Sequence, residues 1–159
     1  MSEPRFQLSA IVYADIVGSA VWMDQDFDFA TGLIRQARDI VAPTVEKHNG
    51  VLFRQFGDGF LLTFASAVDA VRFGLSVNSQ LPTVDPPALR VGIDIGEVSI
   101  VDGDLQGVAA NVAHRLQSMA PPRSVLISGN VWQLVRNQAE FECEFQSTEV
   151  LKNVRDPVD

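Results

Sequence analysis

The stretch Leu52-Phe53-Arg54-Gln55-Phe56-Gly57-Asp58-Gly59-Phe60-Leu61-Leu62 decides the fold of this chain. Two apolar runs flank the tip Gly57-Asp58-Gly59, and this pattern predicts a tight β-hairpin with Asp58 in its turn. Because an aspartate beside a glycine is common in turns, the stretch by itself favours a structural turn over a functional carboxylate.

A second carboxylate, Asp15, lies in a similar setting. The continuous apolar run Ala10–Ala14 predicts a central strand covered on both faces, and Ile16–Ser19 continues it into a glycine-containing loop. Two such strands side by side would bring Asp15 and Asp58 together at one edge of a sheet. Because paired carboxylates repel each other at neutral pH and a hard divalent cation removes that repulsion, the pair predicts a metal site.

Composition limits the class of protein and the partners. With 159 residues, 47% of them hydrophobic, we expect one domain over 1–159, whole or cut from a longer chain. A net charge of −8 argues against nucleic-acid and anionic-membrane partners, which need a basic face. The only cysteine, Cys143, excludes an internal disulfide. Since no apolar run reaches the ~20 residues of a membrane span and the stretch at Met1–Arg5 lacks a signal-peptide h-region, we expect a cytoplasmic protein, or a cytoplasmic domain of a larger one, without direct membrane contact.

The hydrophobic periodicity predicts an α+β fold in which helices cover a mainly antiparallel sheet with a ferredoxin-like core. We predict strands at 6–16, 51–56, 60–64, 89–95, 97–101, 125–128 and 141–145. Helices are predicted at 28–48, 66–80, 107–120 and 129–136, with a loop at 17–27. Pro43 should kink the first helix or separate its last turn.

The helix predicted at 107–120 carries a second polar pair. Asn111 and Arg115 are four residues apart, so they share one helix face, beside the apolar stripe, from which they can reach a groove. Taken alone, the pair is explained more simply as two solvated residues on an exposed face.

Several motifs, in order, resemble the catalytic domain of bacterial-type class III nucleotidyl cyclases, most of all adenylate cyclases. The matching segments are Ala14-Asp15-Ile16-Val17-Gly18-Ser19, Gly57-Asp58-Gly59-Phe60, Arg90-Val91-Gly92-Ile93-Asp94-Ile95-Gly96-Glu97-Val98, Asp104 through Asn111 and Arg115 to Leu116, Ile127-Ser128-Gly129 and Leu151-Lys152-Asn153-Val154. Because the resemblance extends from Gln7 to Val158 with the family's spacings, it is more specific than any one motif. It implies the cyclase homology fold and an enzyme, a lyase that converts ATP to 3′,5′-cyclic AMP and pyrophosphate.

The resemblance also implies a metal site and a phosphate site. Asp15 and Asp58 would hold two Mg²⁺ or Mn²⁺ ions, assisted by the backbone carbonyl of Ile16. In that family one ion lowers the pKa of the ribose 3′-hydroxyl that attacks the α-phosphorus, and the other steadies the triphosphate as pyrophosphate leaves. The backbone N–H groups of the loop at Val17, Gly18 and Ser19 would turn toward the phosphates.

By the same resemblance, three further side chains contact the nucleotide. Asn111 would orient the ribose, and Arg115 would bind the phosphorane, where negative charge grows in the transition state. Lys152 stands where the family has a lysine on the terminal phosphates.

The family's active sites lie at a subunit interface, so the resemblance implies a head-to-tail homodimer. The metal aspartates come from one protomer, and the base-recognition residues and the Asn/Arg pair come from the other. Phe53, Phe56 and Phe60 are candidates for that interface, although an ordinary core explains them about as well.

Asp104 and Arg54 stand at the two base-recognition positions. Asp104 matches the aspartate that accepts from the adenine amino group and would repel the guanine carbonyl, whereas Arg54 replaces the usual lysine. A guanidinium still donates to a ring nitrogen, but cytosine presents the same amino-plus-nitrogen edge as adenine. We therefore favour ATP as the substrate, with CTP as a minor alternative and GTP as the least favoured of the three.

Other interpretations come from different functional classes. A catalytically weak or silent nucleotide-binding module with the cyclase fold is supported only by Arg54. A diguanylate cyclase is disfavoured because Gly59 stands in place of the second acid of its hairpin motif. A plain ferredoxin-like binding domain does not explain several motifs in order. Glu97 is a mild departure from the family's motifs, since some cyclases have a phosphate-binding arginine at that position.

Overall fold

The computed structural model describes residues 5–146 and Val158. Along the described chain, the strands are β1 Phe6–Ile16, β2 Gly50–Phe56, β3 Gly59–Phe64, β4 Leu89–Val101, β5 Asp104–Gln106 and β6 Ser124–Ile127. The helices are α1 Ser19–Gln25, α2 Phe27–Lys47, α3 Ala67–Gln80, α4 Val108–Met119 and α5 Gly129–Val135. None of these helices is long and apolar enough to cross a membrane.

A single sheet with the strand order β2-β3-β1-β4-β5, and with β6 beside β4, forms the centre of the described domain. Neighbours in that order are antiparallel, whereas β6 runs parallel to β4. The predicted α+β class with a mainly antiparallel sheet is therefore confirmed. The prediction of a central strand at 6–16 is also confirmed, because β1 pairs with both β3 and β4.

One face of the sheet, here called the covered face, packs against α2, α3 and α5. Alternate residues of β1, including Ala10, Val12 and Ala14, point into it and are at most 2% exposed. Its largest fully buried side chains include Phe60, Phe73, Leu62, Leu89 and Ile93. Burial of this apolar surface is the main source of the domain's stability.

The opposite face, here called the α4 face, packs against α4. Its apolar cluster is smaller and consists of Ile11, Leu61, Val98, Ala109, Ala110 and Ala113. The helix lies close to the sheet because Gly92 has no side chain: a Cβ there would lie 2.2 Å from the backbone nitrogen of Gln117. Small residues on α4 thus bring its backbone, and the side chains beside its apolar stripe, near β1 and β4.

Side-chain caps explain where three helices begin. Asp26, Ser66 and Ser128 precede α2, α3 and α5, and each accepts a hydrogen bond from the backbone N–H three residues on, at 3.0, 3.2 and 3.2 Å. These bonds satisfy N–H groups that have no partner inside a helix.

Around β4 the structure differs from the sequence predictions in two ways. The strands predicted at 89–95 and 97–101 form one strand, because Gly96 continues the strand beneath α4, where a Cβ would lie 3.1 Å from the Cβ of Ala109. The short strand β5, which follows the turn at 102–103, was not predicted.

Three further details differ from the sequence predictions. The helix α2 continues through Pro43 to Lys47, so its last turn is not separated. The predicted loop at 17–27 contains α1. No strand forms at 141–145, where Phe141 packs against the covered-face core and Phe145 is 72% exposed.

Candidate functional site

Asp15 and Asp58 lie next to each other at one end of the β1–β3 pair. Asp15 pairs with Gly59 in the β1–β3 register, and Gly59 directly follows Asp58 in the sequence. The backbone N–H of Ile16 donates to the backbone carbonyl of Asp58 at 3.3 Å, which ties the hairpin turn to the end of β1. The structure thus brings together two acids that are far apart in sequence.

Arg90, on β4 and opposite Asp15, binds both oxygens of that carboxylate. Its Nε–H donates to Oδ1 at 3.1 Å and its Nη2–H donates to Oδ2 at 2.9 Å. The hydrogen-bonded carboxylate raises the pKa of Arg90, and the charges of Asp15 and Asp58 act in the same direction. A further N–H of Arg90 donates to the carbonyl of Ser118 at 3.1 Å, which links this acid pair to α4.

No role was predicted for Arg90 from the sequence. It lies inside a quoted motif, but its contact with Asp15 depends on the β1–β4 register, in which Asp15 pairs with Arg90. The sequence did indicate which face Arg90 is on. Arg90 lies between Leu89 and Val91, which are buried, and side chains alternate along a strand, so Arg90 is on the α4 face.

The loop after β1 is positioned by backbone and side-chain contacts. The Ser19 hydroxyl donates to the Asp58 carboxylate. Gly18 precedes α1 with φ 74°, a left-handed conformation that favours glycine. The N–H of Val17 was one of three backbone N–H groups predicted to face phosphate. It donates instead to the carbonyl of Ala88 at 2.8 Å.

The donor set around Asp15 and Asp58 fits a hard divalent cation. Two carboxylates are what proteins usually supply to Mg²⁺, with water and substrate phosphates completing the coordination. Within residues 5–146 and Val158, no group of three or more His, Cys, Asp or Glu side chains could hold a metal ion. A metal here would therefore depend on these two acids together with oxygens from the ligand, and Asp15 would exchange a bond to Arg90 for one to the metal.

Arg54 and Asp104 form an ion pair elsewhere on the α4 face. Nη1 of Arg54 lies 2.6 Å from Oδ1 of Asp104, and its Nη2–H donates to the carbonyl of Gly103 at 2.7 Å. The two side chains come from β2 and β5, which stand at opposite ends of the strand order. The β4–β5 hairpin therefore folds toward β2, and the structure brings the two predicted base-recognition residues together.

These two residues line a cavity of about 300 Å³. The other lining residues are apolar or aromatic: Tyr13, Phe53, Phe56, Leu61 and Leu105. The Arg54 and Asp104 side chains are 46% and 59% exposed, so their ion pair adds little stability. An apolar slot that ends in a donor and an acceptor is suited to a flat heterocycle with an amino group.

Asn111 and Arg115 lie on α4 beside its apolar stripe, as predicted from their spacing. Asn111 is exposed and Arg115 is half-buried. Their neighbour His114 packs edge-on against Tyr13, with ring centroids 5.1 Å apart. The guanidinium bound to Asp15 within one protomer is that of Arg90, whereas no hydrogen bond links the Asn/Arg pair to Asp15 or Asp58 in the described chain.

The remaining predicted residues have different outcomes. Phe60 is fully buried in the covered-face core, so the second of the two explanations left open for it, an ordinary core position, is the one that holds. Phe56 is 44% exposed, and Phe53 packs against the α4-face cluster. Lys152 lies outside the described residues.

Comparisons with known proteins identify similar chains. No family model matches. The protein "Putative adenylate cyclase 3" of Rhizobium meliloti (strain 1021) is 33% identical over an alignment of 162 positions that covers 97% of this chain and 28% of that protein. An adenylate cyclase of Streptomyces griseus is 36% identical over an alignment of 115 positions that covers 71% of this chain and 28% of that protein. The chain therefore spans 28% of the length of each of these two relatives.

A solved structure shares the fold along almost the whole chain. The adenylate/guanylate cyclase/hydrolase from Silicibacter pomeroyi superposes with a TM-score of 0.89 at 26% sequence identity. The match covers 98% of this chain and 95% of that one.

Proposed function

Since the chain belongs to the class III nucleotidyl cyclases, we propose that it converts ATP to 3′,5′-cyclic AMP and pyrophosphate. The observation that carries this proposal is the meeting of Asp15 and Asp58 where β1 and the hairpin end. Two carboxylates at one strand end, with few protein ligands besides, suit metal ions that are shared with a triphosphate.

We infer that Asp15, Asp58 and the carbonyl of Ile16 hold two Mg²⁺ or Mn²⁺ ions. Bound ions would supply Lewis-acid activation of the ribose hydroxyl and charge neutralisation at the phosphates. The Ser19 hydroxyl, which donates to Asp58, holds that carboxylate at the end of β1. Arg90 holds Asp15 in the same way, and it keeps a positive charge beside the acids when no ligand is bound.

The Arg54–Asp104 cavity supports adenine as the base. Asp104 accepts from an exocyclic amino group, and a guanidinium N–H of Arg54 donates to the adjacent ring nitrogen. The bond from Arg54 to the carbonyl of Gly103 fixes the guanidinium while other N–H groups remain for a ligand. Guanine would place a carbonyl against Asp104, so GTP should be rejected, while CTP shares the recognised edge.

A head-to-tail homodimer would complete each site. In the protomer, Arg90 binds Asp15, and Asn111 is exposed to a partner. Ile100, on the α4 side of β4 by strand alternation, is 59% exposed and suits burial against a second copy. We infer that Asn111 orients the ribose and Arg115 stabilises the phosphorane across that interface. Lys152 would contact the terminal phosphates.

One assay tests the reaction and its substrate. The protein is incubated with Mn²⁺ and each of the four ribonucleoside triphosphates, and every product is identified by mass. We expect 3′,5′-cyclic AMP and pyrophosphate from ATP, less product from CTP and least from GTP. Absence of cyclic nucleotide from all four would favour the silent nucleotide-binding module.

A mixing experiment tests the shared site. Asp58→Ala and Arg115→Ala should each be inactive, because every site of either homodimer has one defect. In an equal mixture, half of the dimers combine the variants and one of their two sites is intact, so about a quarter of wild-type activity should return. If the mixture stays inactive although the chains exchange, the interfacial site is refuted.

A further inference from the structure

Tyr13 is a polar aromatic residue in the same cavity as Arg54 and Asp104. It lies on β1 two residues before Asp15 and so on the same face of the sheet. Its ring packs edge-on against His114, with centroids 5.1 Å apart, and tilted against Phe56 at 6.3 Å. These contacts hold the ring between α4 and β2, with part of its surface lining the cavity.

The hydroxyl-bearing ring of Tyr13 shares the cavity with the base-recognition pair. A phenol is protonated at neutral pH, so its O–H is available as a hydrogen-bond donor. The cavity thus holds a neutral donor in addition to a cation and an anion.

Arg54 and Asp104 do not distinguish adenine from cytosine by hydrogen bonding. Both bases present an amino group next to a ring nitrogen, and these are the two groups that the pair recognises. Adenine also carries the N7 acceptor on its five-membered ring, and cytosine has no equivalent. A third group that contacts this ring would favour the purine.

We propose that Tyr13 is a specificity-determining residue whose hydroxyl donates a hydrogen bond to N7 of the adenine ring. The inference rests on the proposed function, since it requires a nucleotide base in the Arg54–Asp104 cavity. The aromatic ring of Tyr13 would contact the base as well, so the hydroxyl and the ring have separable effects.

Tyr13→Phe tests the hydroxyl because it keeps the ring and its contacts with His114 and Phe56. We expect KM for ATP to rise about 3- to 10-fold, the usual effect of one neutral hydrogen bond, with little change in kcat and no change for CTP. 7-Deaza-ATP, which lacks N7, should be used by the wild type as poorly as ATP is used by the variant. Tyr13→Phe should then cause no further loss with 7-deaza-ATP.

The outcomes separate this inference from the proposed function. If Tyr13→Phe weakens the use of ATP and 7-deaza-ATP equally, or changes neither, the contact with N7 is refuted while the cyclase activity stands. If the wild type neither binds nor converts any nucleotide, the proposed function and this inference both fail. Asp39→Ala, a change at an exposed acid on α2, serves as a control that should leave all the ratios unchanged.

A spectroscopic measurement that does not depend on turnover supplements the kinetics. Tyr13 is the only tyrosine of the 159 residues, so protein labelled with ¹³Cζ-tyrosine gives a single resonance. A non-hydrolysable ATP analogue should shift this resonance, whereas inorganic tripolyphosphate, which has no base, should not. An equal shift with both ligands, or none with an analogue that binds, would overturn the proposal.

Discussion

The two faces of the sheet differ in how completely they are used for packing. On the covered face, α2, α3 and α5 bury a continuous apolar core, while on the α4 face one helix covers a small cluster and leaves charged side chains accessible. The same strands supply both faces: Ala14 points into the core and Asp15 points to the α4 face. Strand alternation therefore lets one rigid sheet position polar groups without weakening its core.

Because the α4 face carries the polar groups, we expect the largest effect on activity from substitution of its acids. Asp58→Ala should lower cyclase activity by about 1000-fold or more, because a ligand to the metal ions is lost. The melting temperature should change little, since the side chain is only half-buried. Activity and thermal unfolding of Asp58→Ala are compared with those of Asp39→Ala. Retention of metal-dependent turnover in Asp58→Ala would refute the metal assignment.

A substitution on the covered face should lower stability and leave the metal site intact. Phe60→Ala removes a fully buried ring two residues from Asp58 and should lower the free energy of unfolding by about 3–5 kcal/mol. The protein that stays folded at low temperature should still bind Mn²⁺ at Asp15 and Asp58. Urea unfolding and Mn²⁺ binding by electron paramagnetic resonance separate the two effects. A loss of Mn²⁺ binding in folded Phe60→Ala would show that the division between the faces is incomplete.

Asp94 is an exception to the difference between the two faces, because it is an acid on the α4 side that is only 4% exposed. The Ser128 hydroxyl donates to its Oδ1 at 2.6 Å. Burial raises the pKa of Asp94 above its ordinary value of 3.8, and the bond from Ser128 partly opposes that rise. Since the folded state then binds a proton more readily than the unfolded state, stability falls as pH rises from about 3.8 through the raised pKa.

Ser128→Ala should therefore destabilise the protein more at pH 7.5 than at pH 4. At both values the cap of α5 is lost, which costs about 1 kcal/mol. At the higher pH the ionised Asp94 also loses its donor, which adds about 1.5 kcal/mol. Ser66→Ala removes only the cap of α3 and should show the same small cost at both values. Equal pH dependence in the two variants would contradict the role of Asp94.

The sequence predicted those features that depend on local pattern. The hairpin around Asp58, the central strand and the helix that carries Asn111 follow from periodicity and turn residues, and the structure contains all of them. The 141–145 segment shows the limit of the same reasoning. Its alternation of apolar and acidic residues is typical of a strand, but a strand also needs a neighbour with free backbone groups, and this is not encoded locally.

The contacts that were not predicted depend on register and on the curvature of the sheet. Arg90 meets Asp15 because β1 and β4 pair in one particular register over residues 75 positions apart. Gly96 resembles a turn signal, yet it continues β4 because α4 needs the space above it. Tyr13 resembles an ordinary core residue of a buried strand, and its place in the cavity depends on how the β4–β5 hairpin folds toward β2.

The smallest effect is expected where the α4 face selects a base, at Arg54. Arg54→Lys replaces a planar group, bound to both Gly103 and Asp104, with a single ammonium that cannot keep both bonds in the same geometry. We expect the ratio of kcat/KM for ATP over CTP to rise by about 5-fold, because the shorter lysine leaves more room for a purine and still donates to its ring nitrogen. Competition between ATP and CTP in one reaction, with both cyclic products quantified by mass, measures the ratio directly.

An unchanged ratio would remove Arg54 from base recognition and leave the cavity to Asp104 and the aromatic residues. The double variant Tyr13→Phe, Arg54→Lys decides whether the two positions act on the same base. If both contact one adenine, their effects on ATP should not add, because side chains that share a ligand are coupled, whereas residues acting at separate places should give additive changes. A coupled result would show that the α4 face recognises the base with side chains from two strands, β1 and β2, that line one cavity.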